Sequence, residues 1–394
     1  MKTKSFFTSL LVVLLAFSCQ EDTLLDPAIS SDVSQLKNET NSEGDLKTIQ
    51  FESPSLEGNL MGLPAFRNVN IYLPKSYDSC PEKRFPVIYF LHGVPSWENM
   101  LISPEPFEAF FELAMLQARV DFPQQGFKNW VDDLMESGNM KECIIVMPDA
   151  RTLFGPCLYQ NSEILGNFED YIVKDLVDYM DSHFRTIPHF NWRAISGHCA
   201  GGYGALNIAM RHPHTFRYVG ALSPAHFTEQ HFQQIASYSA YEDLMWQQQG
   251  VPAGPVPYNP ESLFKFATNT SYAICQFWLP DLNNPPYYCE LPYTFINGIP
   301  VIDSDLMNKI DNQNLLAQTR QNEKGLRQLK TVYFDCGEND DLGMYQVNLM
   351  LHQQLEAMHI KHEFDTYNGT HISNLYERLA KVWGNLSNDF PEKD

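Results

Sequence analysis

Positive charge is what this chain has least of: 27 lysines and arginines stand against 48 aspartates and glutamates, for a formal charge of −21. That ratio cannot build a broad basic face, which excludes phosphate-backbone binding and nucleic acid as a partner. Long apolar runs are also missing. The stretch from Phe6 to Phe17 falls short of the length a helix needs to cross a bilayer. The eight cysteines (Cys19, Cys80, Cys143, Cys157, Cys199, Cys275, Cys289 and Cys336) contain no CxxC pair of the kind a tetrahedral zinc site favours. Walker and dinucleotide glycine motifs, internal repeats and heptads are absent, so no cofactor is expected. Asp149, Asp303, Asp305, Asp340 and Asp341 have no paired histidine at ligand spacing and, as metal ligands, are outweighed by the reading of solvated loop acids, so no metal is expected either. What the chain does have is bulk. With 394 residues, 44% hydrophobic and 13% aromatic, it can bury one large catalytic domain or two small ones, and it is too apolar for disorder.

The first 18 residues read as an export signal: Lys2 and Lys4, the apolar stretch, then small Ser18 ahead of Cys19. Leu15-Ala16-Phe17-Ser18-Cys19 resembles the lipobox at which bacterial lipoproteins are cleaved and lipidated. The resemblance implies a lipid on Cys19 and an exported protein anchored to the bacterial outer membrane, on its periplasmic or cell-surface face. Residues 20–47 carry seven acids, two lysines and no aromatic, and read as a solvated tether. Acids close behind Cys19 resemble surface-export signals of some Bacteroidetes lipoproteins, while a plain acidic linker has the same composition. If Cys19 carries lipid and Cys199 is kept free, the other six cysteines allow 15 pairings, which spacing alone does not decide.

From Thr48 onward, IQFESPSL and FRNVNIYLP read as two early strands. Short continuous apolar runs follow: FPVIYFLHG (85–93), CIIVMPDA (143–150), WRAISGHC (192–199), YVGALSPA (218–225) and LKTVYFDCG (329–337). Such runs suit strands buried on both faces of a mostly parallel sheet. Helical spacing separates them, most clearly from Asn167 to Arg185, where Phe168, Tyr171, Ile172, Leu176, Tyr179, Met180 and Phe184 recur every three or four residues. The pattern predicts an α/β fold whose site lies at the carboxyl ends of the strands. Residues 94–130 and 226–328 break the alternation and read as lid-like insertions in a catalytic domain spanning 48–394.

Chemistry concentrates in Ile195-Ser196-Gly197-His198-Cys199-Ala200-Gly201-Gly202-Tyr203-Gly204-Ala205, between a predicted strand and a helical segment. A strand, a G-x-Nuc-x-G turn and a helix define a nucleophile elbow. Its flanking residues must be glycine because the turn leaves no room for a Cβ. Here the apex is Cys199, and a thiol at a helix N-terminus is a competent nucleophile. The partners this fold needs follow in the expected order. Asp340 lies after the strand LKTVYFD, with Asp341 as the rival orienter, and His371 lies in Asn368-Gly369-Thr370-His371 after KHEFDTY. The oxyanion donors are expected to be the backbone N–H of Ala200 and one near Gly93 and Val94, after the first long buried strand. Ser196, three residues before the apex, is expected to lie on the strand and out of the cleft. His198 and His92 read as neighbours with structural roles.

The LHG, VMPDA, GPCLYQNS, GHCAGGYGAL, DCGENDD and NGTH segments, in that order across residues 60–390, resemble the α/β-hydrolase esterases of the esterase D group. That group includes feruloyl and acetyl-xylan esterases, S-formylglutathione hydrolases and mycolyltransferases. The resemblance implies the α/β-hydrolase fold, an acyl-enzyme mechanism and a serine nucleophile where this chain has Cys199. Dienelactone hydrolases resemble this chain in carrying a cysteine there. The resemblance also places Tyr159, Gln160, Asn161 and Ser162 near the rim, with Tyr159 and Asn161 as candidate substrate contacts. Trp97, Trp130, Trp246 and Trp278 are candidates for an aromatic wall or lid.

Two classes of function follow. One is a lipid-anchored carboxylic ester hydrolase with a Cys199-His371-Asp340 triad, acting on a small-molecule or carbohydrate ester. The other is a binding protein on a disabled hydrolase scaffold. Thioester hydrolysis or acyl transfer is a variant of the first.

Overall fold

The computed structural model describes residues 43–94, 98–103, 121–258 and 265–392. The export signal, the lipidation candidate Cys19, most of the tether, Trp97 and much of the first insertion lie outside the described residues. Eight strands build the main sheet: β1 (Asp45–Glu52), β2 (Phe66–Leu73), β3 (Val87–Leu91), β4 (Ile144–Pro148), β5 (Arg193–His198), β6 (Tyr218–Leu222), β7 (Thr331–Gly337) and β8 (Glu363–Tyr367). Their spatial order is β1-β2-β4-β3-β5-β6-β7-β8. β2 pairs antiparallel with β1 and β4, and every neighbour from β4 to β8 is parallel. This is the mostly parallel, helix-flanked sheet that the apolar runs predict. β1 already begins at Asp45, inside the stretch read as tether.

Period-two alternation shows why the central strands β3 to β7 are largely apolar throughout. Along β3, Val87, Tyr89 and Leu91 enter the core on one face, and Ile88 and Phe90 enter the core on the other. The second face is covered by α1 (Gly126–Glu136) through Phe127 and Val131, together with the C-terminal helix through Val382, Trp383 and Leu386. α1 therefore belongs to the sheet-flanking layer, a correction to the insertion boundary at residue 130. The first face is covered by α2 and by α3 (Ala200–Arg211). α2 starts as Phe168–Asp170, widens to a π-helical turn over Tyr171–Leu176 and closes as Val177–His183. The wide turn lets Tyr171, Ile172, Val173 and Leu176 all face inward.

The second insertion is ordered around α4 (Glu229–Gln247) and α5 (Phe266–Trp278), which pack on each other. A hairpin of Tyr293–Ile296 with Ile299–Ile302 lies against α4. α6 (Ser304–Asp311) and α7 (Leu315–Gln321) lead back to the sheet. α8 (Met344–Ala357) packs on β7, and α9 (Leu375–Asn388) lies over β5 and β6. The seven cysteines among the described residues are all free; Cys80 is exposed and the other six are buried.

Candidate active site

β5 ends at His198 and α3 begins at Ala200, so Cys199 makes the whole turn alone, with φ 57° and ψ −121°. A non-glycine residue held there is strained, and such strain persists only where the surroundings enforce it. The glycines of the motif do the enforcing. A Cβ on Gly197 would lie 2.2 Å from the Gly201 carbonyl oxygen, and one on Gly201 would lie 2.0 Å from that of Leu91. The backbone around the thiol is thus as close as glycine permits. Ser196 is fully buried on the strand, three residues below the apex.

Facing the elbow are the loops after β7 and β8. His371 Nδ1 lies 2.7 Å from Asp340 Oδ2, with both side chains buried. Asp340 also accepts the N–H of Leu342 at 2.9 Å and of Met344 at 3.3 Å. Burial works against its charge, but the His371 charge and these hydrogen bonds hold the carboxyl down at about 2. Burial likewise opposes the His371 imidazolium. The Asp340 carboxylate and the Cys199 sulfur outweigh it and raise His371 well above the ordinary imidazole range. Nε2 of His371 faces this sulfur without completing a well-aligned hydrogen bond of its own. Asp341 takes the other role: its Oδ1 accepts the backbone N–H of His371 at 3.2 Å.

The His371 carbonyl is pinned by three groups the sequence reading did not single out for this purpose. His198 Nε2 lies at 3.1 Å, Ser223 Oγ donates at 3.2 Å and Arg378 Nη1 donates at 3.3 Å. Arg378, from α9, also donates twice to Asp335 of β7, at 2.9 and 2.6 Å. The signal was present: Asp335 is a charge inside an otherwise apolar strand, and a buried charge demands a partner.

On the opposite side, a Cβ on Gly93 would stand 2.8 Å from Cys199 Cβ, so this loop lies directly against the nucleophile position. His92 sets the loop's orientation. Its Nε2 accepts the Ala150 N–H at 2.9 Å, which leaves the proton on Nδ1 to donate to the Gly93 carbonyl at 3.0 Å. In a trans peptide the N–H opposes the C=O, so turning the Gly93 carbonyl toward His92 turns the Val94 N–H the other way. Ala200 N–H is one of the unsatisfied donors at the start of α3. Burial pushes His92 down to about 4, keeping it neutral for this task.

The rim expectations need correction. Tyr159 is fully buried, with φ 54°; its ring lies where a Gly204 Cβ would sit, and its hydroxyl donates to the His92 carbonyl at 2.8 Å. It supports the Gly93 loop from beneath and is closed off from solvent. Asn161 is exposed, and its Oδ1 accepts the Asp170 N–H at 3.0 Å, holding the start of α2. Gln160 accepts from Trp278 Nε1 at 2.7 Å, and Ser162 donates to the Gln276 carbonyl at 3.1 Å, fastening this loop to α5. Trp278 also stacks edge-on against Tyr203 and Phe227. Trp130 packs with Tyr376 and Trp383 on the second face of the sheet. Asp149 forms an ion pair with Arg151 at 2.9 Å, and Asp303 caps α6.

Strand order, elbow and the acid and histidine on the last two strand ends together define an α/β-hydrolase. The chain belongs to the esterase family whose model, "Putative esterase", matches residues 62–378. It is 27% identical over 215 residues to an endo-1,4-beta-xylanase/feruloyl esterase of Xylanibacter ruminicola, covering 52% of this chain and 25% of that protein. It is 28% identical over 148 residues to an esterase of Mycobacterium tuberculosis, covering 36% of this chain and 26% of the relative. The matches thus span about a quarter of these curated relatives. Among solved structures, a ferulic acid esterase superposes with TM-score 0.56 at 18% identity, covering 89% of this chain and 100% of that one. An S-formylglutathione hydrolase of Staphylococcus aureus superposes with TM-score 0.50 at 15% identity, covering 87% and 99%. Both share the fold.

Proposed function

We propose that this protein is a carboxylic ester hydrolase that works through a thioester on Cys199, with Asp340 and His371 completing the triad. The observation that carries the reading is the left-handed Cys199 apex facing a buried His371–Asp340 pair. In the first half-reaction His371 Nε2 takes the thiol proton and sulfur attacks the ester carbonyl carbon. The oxyanion is held by the N–H groups of Ala200 and Val94. Collapse breaks the bond to the alcohol oxygen, which leaves with the proton from His371. Water then attacks the thioester, giving its proton to His371, and collapse releases the acid and restores the thiol.

The substrate class is an acylated carbohydrate, with a hydroxycinnamoyl ester as the leading case. Support comes from the feruloyl esterase among the sequence relatives. Export and lipidation at Cys19 complete the reading, and loss of membrane association in Cys19→Ala would test them.

The deciding measurement is hydrolysis of short-chain aryl and thiol esters and of methyl ferulate, with intact-mass detection of an acyl adduct. Wild type should turn over and carry the adduct on Cys199, while Cys199→Ala and His371→Ala do neither. If wild type is inert and Cys199→Ser hydrolyses esters, the scaffold is a binding protein disabled at one atom.

A further inference from the structure

Away from the elbow, His352 and Glu356, one turn apart on α8, meet His362, just before β8. One ligand atom from each lies within 4.8 Å of the other two. We propose that this cluster is a binding site for a zinc-like divalent transition metal, joining α8 to the edge strand.

The hydrogen bonds prepare the donors. His362 Nδ1 lies 2.7 Å from the Ile360 carbonyl, which can only accept, so Nδ1 carries the proton and Nε2 presents its lone pair. A backbone carbonyl on the far nitrogen is how metal-ligating histidines are oriented. That lone pair points at His352 Nδ1, 2.8 Å away, and without a metal a proton must fill the gap. A tetrahedral zinc spaces its ligand atoms roughly 3.3 Å apart, so the rings part by about half an ångström and the exposed Glu356 carboxylate closes in. Both rings are held by stacking, His352 on Phe364 at 5.1 Å and His362 on Phe334 at 5.8 Å. Two imidazoles and one carboxylate suit zinc, cobalt, nickel or copper, and suit calcium or magnesium poorly.

The placement gives the metal a structural role. α8 starts four residues after Asp340, and β8 ends four residues before His371. From His352 to the start of α8 is about 12 Å of helix, too far for the ion to touch substrate. It would instead clip together the two segments that carry the triad acid and histidine.

The test uses untagged full-length protein stripped with EDTA, titrated with ZnCl2 by calorimetry and followed by thermal unfolding. Cobalt chloride supplies a visible absorption band as a second readout. The expected result is one zinc per chain, an unfolding temperature that climbs with zinc concentration, and a cobalt band. In Glu356→Gln and His362→Ala, zinc should bind about 100-fold more weakly or worse, and the cobalt band should disappear. Glu356 is exposed, so its variant should keep the metal-free unfolding temperature of the wild type. No saturable binding by the wild type, or unchanged binding in either variant, overturns the proposal. Neither result bears on the esterase reading, which uses other residues.

Discussion

The loop after β3 and the loop after β8 meet at the same sulfur, and each supplies a buried histidine, yet the two histidines have opposite character. His92 is driven down to about 4 and serves as a fixed neutral bracket between Ala150 and the Gly93 carbonyl. His371 is raised well above the ordinary range because a carboxylate lies 2.7 Å from its Nδ1. His198, whose ring is 4.9 Å from that of His371, is forced well below its usual value by burial and then by the charge of His371 itself. Burial prevails at His92, where the Asp149 carboxylate stands 3.9 Å off and is already paired with Arg151, whereas at His371 a carboxylate in direct hydrogen-bond contact prevails over burial.

Exchanging the anion should have the largest effect on this contrast. Asp340→Asn is expected to lower kcat by about 10³- to 10⁴-fold, because the tautomer and the stabilised imidazolium are both lost. Asp341→Asn, which touches only the His371 N–H, should cost less than about tenfold. Steady-state kinetics on an aryl ester would separate the two, and equal losses would remove the assignment of Asp340 as orienter.

Next comes the support behind His371. Arg378→Met leaves Asp335 buried with the Ser223 N–H but without its counter-charge, and should destabilise the fold by about 3–5 kcal/mol in urea unfolding. A variant as stable as the wild type would mean that water replaces the guanidinium.

The acid limb of stability supplies a smaller effect. Asp340 titrates at about 2 when folded, against 3.8 for an unperturbed side chain. Between those values the unfolded chain binds more protons than the native one. The contribution is therefore complete above pH 4 and is lost as pH falls toward 2, about 2 kcal/mol in all. Below pH 4 the unfolding midpoint of the wild type should fall toward that of Asp340→Asn, while above it His371, raised only where the carboxylate is present, adds a separate pH dependence to the wild type.

The smallest effect belongs to the oxyanion side. Tyr159→Phe removes one buried hydrogen bond to the His92 carbonyl, worth about 1 kcal/mol, and should lower kcat about fivefold with KM little changed. A rise in KM alone would return Tyr159 to the role of substrate contact.

The same contrast governs how much could be read from sequence. The five central strands, β3 to β7, were visible because a strand buried on both faces must be apolar along its length, as VIYFL and YVGAL are. The elbow was visible because its demands are local: two glycines, one apex, one strand and one helix. Asp340 and His371 followed from chain order. Tyr159 was misread because its burial under Gly204 is decided by α3, which lies some 45 residues further along the chain. Arg378 was missed because its meaning depends on Asp335, on a different element, and the His352–Glu356–His362 cluster because one of its three residues comes from outside the helix. What sequence hides here is pairing across elements, not the elements themselves.

The tie from Arg378 to the His371 carbonyl also has a consequence for how the protein comes into being. The histidine loop takes its position from a residue on the last helix, and Leu379, Val382 and Trp383 of that helix seal the core beside it. A chain still being synthesised holds its thiol, its acid and its histidine before it has the helix that aligns them. The aligned geometry of thiol, acid and histidine thus arrives last, with the final helix.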